Sequence, residues 1–360
     1  MIYKNLGHSP LKVSRICLGT MMFADQTSLA EARSIVDHAQ QNGCNFIDTA
    51  DVYSFGKSEV MTGELIKAKR NQWILASKVG NSMSDHVNER EYSRTWMLRA
   101  CEDSLSRLQT DHLDIYYLHR DFNGMHLEEP LRAIESLLRD GKIRYWGLSN
   151  FRGWRIAEVM RLCQQMNMPA PVVCQPYYNL LNRLPEVEIL EACAHYGIGV
   201  ASYSPIARGI LTGKYAPGAA PIPESRLARG DKRILETEYR KESLEIAQKL
   251  SARCEEKGIQ LSHFALAWVL ANRAVTSVIG GPRTLAQWQD YWGALEVTIT
   301  QEDEDFVNQL VSPGHPSTPG YNDPSYPLAA RCAYRLPCEK LSSGTVLEAP
   351  VHVQLRTRCK

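Results

Sequence analysis

Short apolar runs alternate with amphipathic stretches along most of this 360-residue chain. We predict strands at residues 13–19, 45–48, 73–78, 113–119, 145–149, 172–175, 199–202 and 275–279. We predict helices at residues 28–42, 58–69, 94–108, 131–140, 154–166, 186–195, 241–257, 261–272 and 284–295. Eight strands, each followed by a helix, favour an α/β fold, a single-domain (β/α)8 TIM barrel, over an open sheet.

The alternation stops near Ser312, and this sets the predicted boundaries. We assign residues 1–311 to the barrel, which would be the catalytic domain. Residues 312–331 are rich in Pro and Gly and are expected to form a loop over the barrel mouth, on the substrate side. Residues 332–360 show no periodicity; we expect this tail to be weakly ordered and assign it no role.

Composition excludes several classes of partner. The net charge of +1 argues against nucleic acid or an anionic membrane as the main partner. No apolar run approaches the roughly 18–20 residues that span a bilayer, and the N-terminal residues lack the apolar core of a signal peptide. The ten cysteines are scattered and are interpreted as reduced thiols, so we expect a cytoplasmic protein. The oligomeric state, monomer or homo-oligomer, stays open.

Four polar residues lie at or just beyond the ends of three successive predicted strands. Asp48, Lys78 and His119 end the second, third and fourth strands, and Tyr53 follows Asp48 by five residues. In a parallel barrel the carboxyl ends of the strands share one face, which carries the chemistry. A phenol, an ammonium, a carboxylate and an imidazole on that face predict a proton-transfer site.

The four groups suit the protonation of an alkoxide that forms during carbonyl reduction. A free tyrosine has a pKa near ~10, and a nearby ammonium favours the phenolate, so we expect Lys78 to lower the pKa of Tyr53. Asp48 would pair with Lys78, and His119 would orient a substrate oxygen. Asp48 and Lys78 could instead form a structural ion pair, and His119 could cap a loop. The placement of all four at equivalent strand ends favours the functional interpretation.

Other site types lack their motifs. We find no metal-ligand spacing and expect no metal; there is also no Gly-x-Ser-x-Gly and no Gly-x-Gly-x-x-Gly motif. Residues 209–215 are one residue too short for a P-loop and end in Tyr215. Hydride chemistry needs a cofactor, and a barrel can bind phosphates near its last two strands. Residues 204–209 and 280–283 are the candidates, the latter at a helix N-terminus.

The chain resembles the aldo-keto reductase superfamily from about Tyr3 to about Arg331, in its longer bacterial-type and potassium-channel β-subunit-like branch. The first matching motif is residues 48–53 with Gly56, Ser58 and Glu59. Further matches are residues 77–78, 118–120, 141–150, Gln175 with 178–183, and 203–205 through 213–215. The chain departs from the family pattern at Ile206, Tyr291 and Pro282, where Leu, Asn and a small residue are usual.

The resemblance implies residue roles and a cofactor, NADP(H). Tyr53 would be the general acid or base, tuned by Lys78 and Asp48, with His119 orienting the carbonyl. The nicotinamide would contact Ser149, Asn150, Gln175 and Tyr203, and the pyrophosphate would contact Ser204, Ala207, Gly209 and Lys214. The adenosine end would contact Gly281, Arg283, Gln287 and Asp290, and further cofactor contacts would be Gly19, Thr20, Met21, Pro205 and Leu211. A guanidinium suits bidentate phosphate contacts, so Arg283 is expected to bind the 2′-phosphate, favouring NADP(H) over NAD(H).

Loops over the mouth would form the substrate pocket. The candidates are Met22, Phe55, Phe122 and Tyr178, whose side chains would favour an apolar or ring-bearing carbonyl compound. Each could equally be a packing residue.

Three functions compete. The first is a reversible NADPH-dependent reductase of aldehydes or ketones, with a small-molecule carbonyl or alcohol as substrate. The second is a nicotinamide-binding regulatory subunit that senses redox state, as channel β-subunits do. The third, a barrel hydrolase or aldolase, would need a metal or a substrate-phosphate site, and the intact tetrad favours the reductase.

Overall fold

The structure is a computed structural model that describes residues 1–122, 124–220, 222–223 and 225–327. Its strands are β1 (Tyr3–Asn5), β2 (Lys12–Ser14), β3 (Ile16–Gly19), β4 (Phe46–Asp48), β5 (Ile74–Val79), β6 (Leu113–Leu118), β7 (Ile143–Ser149), β8 (Val173–Gln175), β9 (Gly199–Tyr203) and β10 (Val275–Gly280). Its helices are α1 (Leu29–Gln41), α2 (Lys57–Ile66), α3 (Arg94–Leu108), α4 (Glu128–Arg139), α5 (Gly153–Met166), α6 (Ile189–Tyr196), α7 (Lys232–Thr237), α8 (Lys241–Glu256), α9 (Leu261–Ala271), α10 (Leu285–Trp292) and α11 (Gln301–Leu310).

Strands β3 to β10 close into a parallel barrel, in the order β10-β3-β4-β5-β6-β7-β8-β9. Helices follow every barrel strand, as parallel crossovers require. The register joins Asp48 to Ala76 and Lys78 to Tyr117, so the ends of β4, β5 and β6 lie side by side. The predicted (β/α)8 TIM barrel is confirmed.

The core has two layers, one inside the barrel and one between the sheet and its helices. Cys17, Phe46, Ala76, Ile115 and Tyr117 are among the interior side chains. The outer layer takes the alternate strand residues and the apolar stripes of the helices, for example on α1 and α3. Strand side chains alternate between the two layers, since successive residues point to opposite faces.

The amino-terminal strand differs from the prediction. Residues 13–19 do not form one strand: β2 pairs antiparallel with β1, and the barrel strand begins only at Ile16. Arg15, between them, is buried and donates hydrogen bonds to the backbone oxygens of Leu270, Val275 and Thr276. Leu6 and Val13 of this hairpin region join the interior core cluster. A polar residue that binds carbonyls, rather than a turn signal, divides the strand.

Helix boundaries also shift. Predicted helices 58–69 and 284–295 each end in a 3-10 turn, Lys67–Gln72 and Gly293–Glu296 respectively. Helices α7 and α11 were not predicted, although α11 has a capping box between Thr300 and Asp303 that marks its start. No helix in the described part of the chain combines the length and the apolar character needed to cross a membrane.

The chain divides into two units, Met1–Tyr321 and Asn322–Lys360. In the first unit, residues 312–321 lie against the loop after β8: the backbone NH of Ser317 donates to Leu181 at 2.9 Å, and that of Arg183 donates to His315 at 3.0 Å. In the second unit, the backbone NH of Tyr326 donates to Asp323 at 2.9 Å in a turn. Residues 328–331 and the tail predicted at 332–360 lie outside the described residues.

Candidate active site

Side-chain alternation points the polar strand-end residues into the barrel. An interior residue precedes each of them by two positions, and residues two apart on a strand face the same side. The pairs are Phe46 and Asp48, Ala76 and Lys78, and Tyr117 and His119. The barrel therefore brings Asp48, Lys78 and His119 together at one mouth.

Lys78 is the centre of the site. Its ammonium is fully buried, donates to the Asp48 carboxylate, and donates to the Thr49 carbonyl oxygen at 2.7 Å. The third donation goes to the Tyr53 hydroxyl oxygen at 3.3 Å. The Asp48 side chain is also buried, at 2 % exposure. Because all three donor positions of the ammonium are used, its orientation toward Tyr53 is determined.

Lys78 acts on the pKa of Tyr53 in the expected direction but does not set the net shift. Burial raises the pKa of Tyr53 above its ordinary value, and Lys78 only partly offsets this by lowering the pKa. Burial lowers the pKa of Lys78, but the attraction of Asp48 and Tyr53 is stronger, so this pKa is raised. The net pKa of Tyr53 is therefore not lowered, because desolvation of the phenolate outweighs the ammonium. At neutral pH the pair is a phenol beside an ammonium.

His119 lies edge-on to the Tyr53 ring, with centroids 6.0 Å apart. Its backbone NH donates to Val79 at 2.9 Å, and the Asn150 side chain donates to its carbonyl oxygen at 3.0 Å. The Asn81 side-chain nitrogen lies 3.0 Å from its Nδ1. Burial, Lys78 and Arg120 lower the pKa of His119 well below its ordinary value, so the imidazole is neutral at pH 7.

The residues assigned to the nicotinamide form one hydrogen-bond network with the tetrad. Gln175 donates from its side-chain nitrogen to Asp48 at 2.9 Å. The Ser149 hydroxyl donates to the Gln175 carbonyl oxygen at 3.0 Å and accepts from Asn150 at 2.9 Å. The Tyr203 hydroxyl donates to Asn150 at 2.8 Å. All four residues therefore lie at the same mouth as the catalytic candidates.

The loop after β9, assigned to the pyrophosphate, has an unusual backbone. Ser204, Ala207 and Arg208 have φ angles of 55°, 47° and 51°, and Gly209 has a φ of 100°. Such left-handed residues turn several backbone NH groups in one direction, as in anion-binding loops. Ala207 and Leu211 are fully buried, which leaves only their backbones for a cofactor. Pro205 lies within this loop.

A cluster of positive charge adjoins that loop. Burial lowers the pKa of Lys214, and Arg283, Arg226 and Arg229 lower it further, so each of the three arginines lies close enough to Lys214 to repel its charge. Such a cluster fits the phosphates of a dinucleotide. Arg226 and Arg229 were missed in the sequence; the signal was the basic stretch from Arg226 to Arg233.

The residues assigned to the adenosine end lie at and near the start of α10. The backbone NH of Arg283 donates to the Gln287 side-chain oxygen at 2.9 Å, and its carbonyl accepts from Thr27 at 3.0 Å. A Cβ added to Gly281 would meet no atom within 4 Å, so this position is open. Asp290 is already engaged, accepting from Ser262 at 3.0 Å and contacting His263 at 2.8 Å.

The remaining assigned cofactor residues are next to Asp48. Gly19 ends β3 opposite Asp48 in the register, and the Thr20 backbone NH donates to the Asp48 carbonyl oxygen at 2.9 Å. Met21 is 37 % exposed. Gly19 and Thr20 therefore lie beside Asp48 at the strand ends, and Met21 follows them in the chain.

Of the pocket candidates, Phe55 and Phe122 are exposed at least in part, whereas Met22 and Tyr178 are buried. Phe55 is 74 % exposed, two residues after Tyr53, and Phe122 packs edge-on against Tyr92 at 5.2 Å. Met22 is buried, at 4 % exposure.

Tyr178 does not line the mouth. It is fully buried, and its hydroxyl donates to Glu186 at 2.7 Å. Its ring packs against Trp268 on α9, in the outer layer of the core. Tyr178 lies in a loop, three residues after the end of β8, where strand alternation cannot assign a side chain to a face, and this is why the sequence misplaced it.

An ion pair between Glu59 and Arg107 lies next to β5, with its carboxylate fully buried. Glu59 is fully buried, accepts from the Ser77 hydroxyl, and accepts from Arg107 Nε at 2.7 Å. Glu59 belongs to the first motif, but its partner on α3 could not be found from spacing. The contact holds the residue before Lys78 in place.

Comparisons with known proteins agree with this geometry. A model of the aldo/keto reductase family matches residues 15–311. An uncharacterized oxidoreductase, YrpG, of Bacillus subtilis (strain 168) is 36% identical over 321 residues, which cover 86% of this chain and 96% of the relative.

Two plant relatives are described as probable voltage-gated potassium channel subunits beta. The one from Arabidopsis thaliana is 32% identical and covers 82% of this chain and 92% of the relative. The one from Oryza sativa subsp. japonica is 31% identical and covers 89% of this chain and 100% of the relative. The barrel, the strand-end tetrad and these matches together establish that the chain belongs to the aldo/keto reductase family.

Proposed function

We propose that this protein is an NADP(H)-dependent oxidoreductase that reduces an aldehyde or ketone to an alcohol, reversibly, with Tyr53 as the general acid or base. The observation that carries the proposal is the Tyr53 hydroxyl 3.3 Å from the Lys78 ammonium, beside the neutral imidazole of His119. Family membership supports the oxidoreductase class.

The side chains divide the work of proton transfer. The Tyr53 hydroxyl donates its proton to the substrate oxygen as negative charge develops there. The Lys78 ammonium stabilises the phenolate that this leaves, and Asp48 keeps the ammonium in place. His119 donates a hydrogen bond to the same substrate oxygen. In alcohol oxidation the Tyr53 phenolate accepts the proton instead.

A nicotinamide cofactor, when bound, supplies or accepts the hydride. The residues present fit such a group, because four cations lie near the loop after β9 and the position of Gly281 is open. Ser149, Asn150 and Gln175 offer amide and hydroxyl groups for the carboxamide. Arg283, Arg226 and Arg229 support a 2′-phosphate, and hence NADP(H) over NAD(H).

Aromatic and thioether side chains near the mouth support an apolar or ring-bearing carbonyl compound as substrate. Phe55 offers most of its ring to solvent, and Phe122 lies on the loop after β6. Exposed aromatic surface of this kind is used to bind apolar groups. We also propose a cytoplasmic location, supported by the thiols of the cysteines in the described residues, all free and buried.

A nucleotide titration tests the proposal. Purified protein should bind NADPH more tightly than NADH and oxidise NADPH with some members of an aldehyde and ketone panel. Arg283→Ala should weaken NADPH by about 10- to 100-fold, since a charge-assisted hydrogen bond contributes roughly 1.5–3 kcal/mol. The control is Arg139→Ala, an arginine exposed on α4. An equal loss of NADPH and NADH would refute the 2′-phosphate assignment.

A second candidate is a nicotinamide-binding regulatory subunit, supported by the two plant relatives described as channel subunits beta. Tight nucleotide binding without turnover on a broad carbonyl panel would favour it. No binding of either nucleotide would contradict both functions.

A further inference from the structure

The loop after β5 carries a side chain that touches His119. Asn81 is partly buried, and its side-chain nitrogen lies 3.0 Å from Nδ1 of His119. Among the described residues, none hydrogen-bonds to Nε2 of the same ring. The two ring nitrogens therefore have different environments, one held by the protein and one left for another group.

The direction of this contact determines where the ring proton lies. An amide nitrogen donates and does not accept, so Nδ1 must be the acceptor. A neutral imidazole carries a single proton, which then lies on Nε2. Nε2 is thus a hydrogen-bond donor in this arrangement, as is required to bind a carbonyl oxygen.

The backbone around Asn81 is built to hold it beside His119. Gly80 has a φ of 129°, and a Cβ there would lie 2.5 Å from the Tyr92 ring. The hydroxyl of Tyr92 donates to the Arg120 carbonyl oxygen at 2.6 Å and accepts from the Arg120 backbone NH at 2.9 Å. Tyr92 therefore joins the residue before Asn81 to the residue after His119. Only glycine permits this approach.

We propose that Asn81 is a positioning residue, which holds His119 as the Nε2–H tautomer so that this nitrogen donates to the substrate carbonyl oxygen. The inference rests on the proposed reductase function and deepens it. Asn81 does not touch the reacting atoms and acts through His119 alone.

The other charged and titratable groups near His119 leave its tautomer unspecified. Lys78 on β5, Tyr53 after β4 and Arg120 next in sequence face the ring, and Tyr92 lies against Arg120. The two cations disfavour a charged imidazole but do not select between Nδ1 and Nε2. Asn81 makes the contact that does so.

Asn81→Asp tests the proposal because it keeps the shape and reverses the hydrogen bond. A carboxylate only accepts, so Nδ1 must carry the proton and Nε2 loses it. In cofactor-free protein labelled with ¹⁵N-histidine, the wild-type His119 nitrogens should show the Nε2–H tautomer. Asn81→Asp should show Nδ1–H, and His119→Gln assigns the signals. A wild-type Nδ1–H tautomer, or an unchanged tautomer in the variant, would overturn the inference.

Activity supplies a second readout. Above the pKa of the variant's imidazole, Asn81→Asp should lower kcat about 100- to 1000-fold, the loss seen when one donor to a developing oxyanion is removed. Activity should return toward acid pH, where the imidazolium carries protons on both nitrogens. Wild type should lack this acid recovery. A variant profile parallel to that of wild type would contradict the proposal.

Two further variants separate tautomer control from packing. Asn81→Ala leaves Nδ1 without a partner and should lose less activity than Asn81→Asp, although it removes more of the side chain. A purely structural role predicts the reverse order, which would refute the proposal. Asn88→Asp adds the same charge at an exposed position of the same loop and should behave as wild type. If no carbonyl is turned over, the NMR result still decides the tautomer, so the two failures are distinguishable.

Discussion

Removing the buried ammonium of the site should destabilise the whole barrel. Lys78→Met keeps a side chain of similar length but leaves the Asp48 carboxylate, 2 % exposed, without its cation. The Thr49 carbonyl oxygen also loses its donor at 2.7 Å. Gln175 remains, donating to Asp48 at 2.9 Å. One neutral donor cannot replace an ammonium in a buried setting.

The expected loss in the free energy of unfolding is about 3–5 kcal/mol, because breaking a buried ion pair leaves an uncompensated charge. The pair Arg33–Glu64 provides the matched control, since its side chains are 51% and 49% exposed. Arg33→Met should change the free energy of unfolding by roughly 0–1 kcal/mol, as for other exposed pairs. Both substitutions replace the cation of an ion pair with Met, and they differ chiefly in the burial of the pair.

The double variant Asp48→Asn/Lys78→Met isolates the charge. It removes the carboxylate as well as the ammonium, so it should be more stable than Lys78→Met alone.

Urea denaturation followed by circular dichroism measures the free energy of unfolding of wild type and the three variants. A loss below about 1 kcal/mol for Lys78→Met, within the range of the exposed pair, would refute the reasoning. So would a double variant no more stable than the single one.

Three further predictions follow from single residues. Tyr53→Phe should lower kcat about 10²- to 10⁴-fold, the range for general acids, with unchanged nucleotide affinity in a fluorescence titration. Gly63→Ala should reduce the free energy of unfolding by about 1–3 kcal/mol, since its Cβ would lie 2.4 Å from the Leu108 carbonyl oxygen. Burial raises the pKa of Asp51 well above its ordinary value, so its contribution to stability falls as the pH rises through that pKa, and Asp51→Asn should flatten this dependence in urea titrations.

Controls and contrary results are available for each. Near-normal kcat in Tyr53→Phe would remove it from the proposed role. Gly281→Ala, where an added Cβ meets no atom within 4 Å, should unfold as wild type does; an equal loss in both glycine variants would contradict the steric argument. Asp37→Asn, exposed on α1, should leave the pH dependence unchanged, and the same flattening there would rule out Asp51 as its source.

Much of the site followed from strand periodicity. Asp48, Lys78 and His119 each follow an interior apolar residue by two positions, and this alternation is local. Once the barrel was predicted, the shared face of its strand ends placed these residues together. The predicted fold class was confirmed for the same reason.

Residues outside the strands could not be placed in this way. Tyr178 follows β8 in a loop and packs outward against Trp268. Arg226 and Arg229 approach Lys214 only because the long segment after β9 folds back. Local sequence specifies a loop's turns but not which surface it meets.

The amino-acid sequence by itself determined the barrel, the order of its strands and the strand-end positions of the candidate proton-transfer groups, because these depend on periodicities of a few residues. The tertiary structure alone decided how those groups behave. Burial raises the pKa of Tyr53 despite the Lys78 ammonium, and Asn81 meets His119 because Tyr92 joins two loops. Desolvation and contacts between distant segments depend on how the whole chain packs, and no short stretch of sequence contains that information.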